Sequence, residues 1–107
     1  MATQEINELI DRIIDRYINV LKENNIPVSR LYLYGSYAKG GYHKDSDIDI
    51  AVFLDKDTID QFEEDVRLFK LTKNVDLRIE PHSFARTDLD EPDPYTDEII
   101  RTGKRII

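Results

Sequence analysis

The stretch from Val28 to Leu54 constrains the fold more than any other part of the chain. It holds two runs that read as strands, Val28 to Tyr34 and Asp47 to Leu54, the second rich in Ile and Val. Gly35 breaks the first run, Ser36 to Lys39 reads as one helical turn, and Gly40-Gly41 ends that turn. Side chains alternate faces along a strand, so Asp47 and Asp49 project together while Ile48 and Ile50 point to the opposite face. Two carboxylates on one face repel each other unless a cation lies between them or one is protonated. Mg2+ takes a few carboxylate oxygens and keeps its other positions for water and phosphate. The pair therefore reads as half of a Mg2+ site whose other half is a substrate. Gly35 lets the backbone come close to a ligand. The Ser36 backbone and hydroxyl, with Lys39 or Lys44, are placed to meet phosphate oxygens.

The rest of the pattern fits around this centre. Ile6, Leu9, Ile10, Ile13, Ile14, Tyr17, Ile18 and Leu21 recur at helical spacing, with Thr3 as N-cap and Asn24, Asn25 and Pro27 as the stop. A second helix is expected over Asp57 to about Lys70, with Ile59, Phe62, Val66, Leu68 and Phe69 as its apolar positions and its acidic residues solvated or facing a basic partner. Val75 to Glu80 reads as a third strand, with Asp76, Arg78 and Glu80 on one face. If that strand lies beside the second, Asp76 becomes a third carboxylate, and three carboxylates can hold two Mg2+ ions for an in-line phosphoryl displacement. His82 to Pro94 reads as an irregular acidic loop, followed by a helical turn (Tyr95 to Arg101) and a short apolar end. His43 and His82 fall in expected loops and read as surface residues. Tyr32, Tyr34, Tyr37 and Tyr42 read as packing or base-stacking groups. The fold class is α/β (α+β), a small mixed sheet flanked by helices, with residues 1–107 as one domain.

Composition narrows the chemistry. With 15 basic and 22 acidic side chains the net charge is −7, and the basic residues are scattered, so the backbone of a long nucleic acid is disfavoured as a partner. A nucleotide that brings its own Mg2+ is not. The chain has no cysteine, which removes disulfides, thiolate catalysis and Cys-ligated zinc. Neither a membrane span nor a signal pattern is present, so a cytoplasmic location is expected.

Gly35-Ser36, ten residues, Asp47-x-Asp49, and a later aspartate within Val75-Asp76-Leu77 resemble the minimal nucleotidyltransferase group of the DNA polymerase β-like superfamily. The ending from Tyr95 to Ile107 also resembles the last helix and strand of that group. The resemblance implies a polymerase β-like nucleotidyltransferase fold. It implies that Gly35 and Ser36 hold the triphosphate, that Asp47 and Asp49 bind metal, and that Asp76 is the third carboxylate, which helps activate the acceptor hydroxyl. It further implies ATP as substrate, transfer of AMP to a hydroxyl with release of pyrophosphate, and a role as antitoxin to a HEPN-domain toxin whose tyrosine is the acceptor. Two alternatives stay open: a small-molecule acceptor, and a non-catalytic antitoxin that neutralises by binding alone.

Overall fold

The computed structural model describes residues 3–107 apart from Lys44. The Thr3 cap and the Lys44 phosphate contact expected from the sequence lie outside the described side chains. Helix α1 (Thr3–Glu23) leads into strand β1 (Val28–Tyr34), the short helix α2 (Ser36–Lys39) and strand β2 (Ile48–Leu54). Helix α3 (Gln61–Leu71) and a 3₁₀ turn (Thr72–Asn74) precede strand β3 (Ile79–Phe84), and α4 (Thr87–Asp90), α5 (Pro94–Thr102) and the two-residue β4 (Lys104–Arg105) complete the chain.

Helix α1 ends as its sequence predicts. Asn25 takes the left-handed conformation (φ 57°), the Ile26 N–H donates to Leu21 O at 3.0 Å and the Asn25 N–H to Lys22 O at 3.1 Å. Asparagine tolerates this conformation better than most residues, and the buried Ile26 and Leu21 supply the apolar contact that usually accompanies such a stop.

The four strands form one mixed sheet in the order β3-β2-β1-β4. β1 is antiparallel to β2 and to β4, whereas β2 and β3 are parallel. A parallel pair needs a crossover, and α3 supplies it. β2 lies between β3 and β1, and every residue from Ile50 to Leu54 is buried. Its two faces enter different clusters. Ile48, Ile50, Val52 and Leu54 pack with α1 and with Leu68 of α3. Ala51 and Phe53 pack with Tyr32, Phe84 and Ile99, so α5 covers part of the other face. Asp49 belongs to this second face, at the end of β2 nearest its start. No helix among the described residues is long and apolar enough to cross a membrane.

The third strand lies four residues later than the sequence suggests. Asp76 is not in a strand: its N–H donates to Thr72 O, and its own carboxylate accepts from the Arg78 N–H at 2.8 Å. This side chain-to-backbone bond closes a turn over residues 76–78 and delays the strand to Ile79. Leu77, which the strand reading sets on one face with Val75 and Ile79, is 76% exposed while Ile79 is fully buried. Pro81 lies within β3, which is tolerated because β3 is an edge strand. The expected loop from His82 therefore begins as strand.

Helix α3 also turns differently from its apolar pattern. Leu68 is fully buried and Glu64 nearly so, while Phe62 and Phe69 point outward, 78% and 55% exposed. Its acidic residues are not simply solvated. Asp60 caps the helix by accepting from the Glu63 N–H, Glu64 pairs with Lys56 at 3.2 Å, and Asp65 accepts from the Ser83 N–H at 2.7 Å and from its hydroxyl at 2.6 Å.

Candidate active site

Tyr34 pairs with Asp49 across β1–β2, and Asp49 pairs with Glu80 across β2–β3. One row of the sheet thus carries Tyr34, Asp49 and Glu80 on three adjacent strands. Acceptor atoms of Asp49, Glu80 and His82 all lie within 4.8 Å of one another. Asp47, just before β2, is exposed, and its charge reaches Asp49. Burial, then the charge of Glu80 and a hydrogen bond to it, push the Asp49 carboxyl up to about 6.

Gly35 is required here for two reasons. Its φ is +75°, in the left-handed region that favours glycine, and a Cβ added to it would come within 2.2 Å of Asp49 Oδ2. The absence of a side chain at position 35 is what lets the turn after β1 lie directly on the carboxylate. Ser36 opens α2, and its hydroxyl has no hydrogen-bond partner among the described residues. Lys39, on the last turn of α2, holds Glu98 of α5 at 3.1 Å with both side chains about half exposed. An exposed ion pair contributes at most about 1 kcal/mol, so Lys39 can leave Glu98 for a phosphate at little cost. Between them lies a pocket of about 200 Å³ lined by Tyr34, Gly35, Lys39, Tyr95, Glu98 and Thr102 among others. Burial and the Tyr95 hydroxyl, 3.3 Å away, push the Tyr34 phenol well above its ordinary range, so it stays neutral.

The structure sets Gly35 directly against Asp49, with Ser36 and Lys39 on the helical turn that follows; Asp47 stands two residues before Asp49, close enough for its charge to raise the Asp49 carboxyl, but outside the Asp49–Glu80–His82 group. It does not bring Asp76 to them. The expectation that Asp76 reaches Asp49 from the face of a third strand is corrected by the position of β3. Both carboxylate oxygens of Asp76 instead accept from the Arg78 guanidinium, at 3.1 Å and 2.9 Å. That pairing holds Asp76 below the usual carboxylate range. The carboxylate that faces Asp49 is Glu80, and the histidine beside it is His82, which the sequence reading assigned to a surface loop. The signal for both was the run from Ile79 to Phe84, which is strand-like apart from Pro81.

The donor set suits a divalent cation. Asp47, Asp49 and Glu80 offer the hard oxygens that Mg2+ takes, and a cation held there would offset both the burial of the Asp49 charge and its repulsion by Glu80, the two leading causes of the raised Asp49 carboxyl. His82 adds a nitrogen of the kind that Mn2+ or Zn2+ accepts more readily.

A mixed sheet with Asp49 and Glu80 at the head of two parallel strands, facing a glycine turn, is the arrangement that this chain shares with nucleotidyltransferase domains. The chain belongs to the nucleotidyltransferase domain family, which it matches over residues 14–103. It is similar to the protein adenylyltransferase MntA of Shewanella oneidensis, 42% identical over 57 residues, a match covering 53% of this chain and 36% of that protein. Among solved structures it resembles one in the MntA–HpeT toxin–antitoxin complex, with 25% identity and a TM-score of 0.60 over 87% of this chain and 70% of the other. It also resembles one in a toxin–antitoxin complex with AMP-PNP, with 26% identity and a TM-score of 0.60 over 85% and 69% of the two chains. A Sulfolobus solfataricus protein shares the fold at 14% identity, with a TM-score of 0.64 over 95% and 81%.

Proposed function

We propose that this chain is a Mg2+-dependent nucleotidyltransferase that serves as the antitoxin of a HEPN-toxin pair, moving AMP from ATP to a tyrosine hydroxyl of its partner. The observation that carries the reading is the close approach of the Gly35 turn to Asp49, whose carboxylate is grouped with Glu80 and His82. The likeness to MntA, and to a toxin–antitoxin structure with AMP-PNP, supports adenylyl transfer and a toxin as the acceptor.

Each residue has a task in this reaction. Ser36 donates its hydroxyl to a phosphate oxygen, and Lys39 exchanges Glu98 for the triphosphate. Asp47, Asp49 and Glu80 would hold Mg2+, which would supply positive charge to offset the phosphates and the departing pyrophosphate. Glu80 takes the proton from the acceptor hydroxyl. The acceptor oxygen forms a bond to the α-phosphorus as the bond from that phosphorus to the bridging oxygen breaks, and pyrophosphate carries that electron pair away.

Intact mass of the protein encoded by the neighbouring gene, after incubation with this chain, ATP and Mg2+, tests the proposal. The expected result is a gain of one or more AMP units that the Asp47→Ala/Asp49→Ala double variant does not produce. An unchanged mass with every one of the four nucleoside triphosphates refutes it.

A further inference from the structure

Helix α3 carries an apolar stripe that neither core cluster uses. Phe62, Val66 and Phe69 recur at steps of four and three, so they share one face of the helix. Phe62 and Phe69 are exposed, Val66 is half-buried, and none of the three belongs to either cluster. Between the stripe and Pro81 of β3 runs a groove of about 340 Å³, with space for a phenyl ring. We propose that this face pairs with the same face of a second copy of the chain, α3 antiparallel to α3 about a two-fold axis near Val66, to form a homodimer. Pairing of this kind does not depend on the reaction proposed above.

Three observations select a copy of the same chain as the occupant. First, charge changes sign along the helix. Asp60, Glu63, Glu64 and Asp65 occupy its N-terminal half, and Arg67 and Lys70 its C-terminal half. An antiparallel copy therefore sets acidic residues against basic ones and brings each helix N-terminus beside the other's C-terminus.

Second, the two charges that flank the stripe are placed to meet their mates. Glu63 and Lys70 lie on the same flank, where both line a surface pocket beside Phe62 and Val66. Neither side chain makes an ion pair or a hydrogen bond among the described residues. Antiparallel helices related by a two-fold axis bring equal flanks together, so Glu63 of each copy meets Lys70 of the other, and Phe62 lies against Phe69. Arg67 stands farther round the helix, 3.6 Å from Glu64 of its own chain, so its charge is partly neutralised where the axis passes.

Third, the neighbouring sheet edge is closed to an added strand. The Ile79 N–H donates to Asp76 O, Pro81 has no N–H, and the Ser83 N–H and carbonyl are taken by Asp65 and Gln61. Two copies can therefore meet here through α3 and not by continuing the sheet.

The test is sedimentation equilibrium of the full chain from about 1 to about 300 μM, the span in which small interfaces dissociate. The expected result is a dimer that Phe62→Ser/Phe69→Ser turns to monomer while keeping the circular dichroism of wild type. Glu63→Lys and Lys70→Glu, each alone, are expected to weaken dimerisation about tenfold, and the double exchange Glu63→Lys/Lys70→Glu to recover most of it. The double exchange sets both charges against the dipole of their own helix, so recovery cannot come from a better helix. A wild-type chain that is monomeric throughout that range overturns the proposal; if the serine pair then loses a complex that wild type forms with the neighbouring-gene protein, the face belongs to that partner. A dimer unchanged by the serine pair, or a double exchange no better than the single ones, overturns it as well. Transfer of AMP, or its absence, bears on none of these outcomes.

Discussion

Replacing Asp49 with asparagine is expected to stabilise the metal-free protein. Folding moves this carboxyl from 3.8 to about 6, chiefly through burial and then through Glu80. A shift of roughly two units corresponds to a ceiling of about 3 kcal/mol. The side chain is only partly buried, so solvent screening reduces the effect to about 1–2 kcal/mol. The sign follows from the direction of the shift. A raised carboxyl favours the protonated form in the fold, so its contribution to stability is complete below pH 4 and lost as pH rises through about 6. Asparagine has no charge to bury. The stability of Asp49→Asn relative to wild type should therefore climb between pH 4 and 6 and level off above 7. Urea unfolding followed by circular dichroism, in EDTA across that range, measures the difference directly. Mg2+ at a free concentration a hundred times its Kd should reverse the order, because wild type gains about 2.7 kcal/mol there and the variant gains less. A variant less stable than wild type at pH 8 in EDTA, or a difference independent of pH, would refute the reasoning.

Gly35→Ala should unfold at lower urea by about 1–2 kcal/mol, since it forces a left-handed L-residue and drives a Cβ to 2.2 Å from Asp49 Oδ2. Its AMP transfer should fall by more than about a hundredfold as the turn lifts off the carboxylate. Tyr17→Phe removes a fully buried hydroxyl that donates to Leu68 O at 2.8 Å, joining α1 to α3. It should cost about 1–2 kcal/mol in the same unfolding assay, with the KM for ATP unchanged.

Where the sequence carries a strong local signal, its reading and the structure agree. The α1 stripe, the Asn25 stop, β1, the Gly35 break and β2 follow from hydrophobic period and backbone preference. Two elements were not legible for reasons that lie in tertiary contacts. The strand period of Val75 to Glu80 is real, but Asp76 bonds locally to Arg78 and turns the chain, and Pro81 is admitted because its missing N–H faces outward at an edge. Shifting the strand by four residues keeps the parity of the faces, which is why the site still finds a third carboxylate, now Glu80. The apolar positions of α3 include Phe62 and Phe69, which periodicity assigns to a core. Which face of that helix is buried depends on Glu64, Asp65 and Leu68 meeting Lys56, Ser83 and the sheet, and spacing along one helix does not contain those partners.

The central claim is that Glu80, not Asp76, completes the carboxylate cluster with Asp47 and Asp49. Comparing the rate of AMP transfer to the partner by Glu80→Gln and by Asp76→Asn, each with confirmed folding, tests it most directly. The account predicts that Glu80→Gln loses at least about a hundredfold in kcat, while Asp76→Asn stays within about tenfold of wild type and shows a modest loss of stability. A fully active Glu80→Gln beside an inactive, well-folded Asp76→Asn would contradict it.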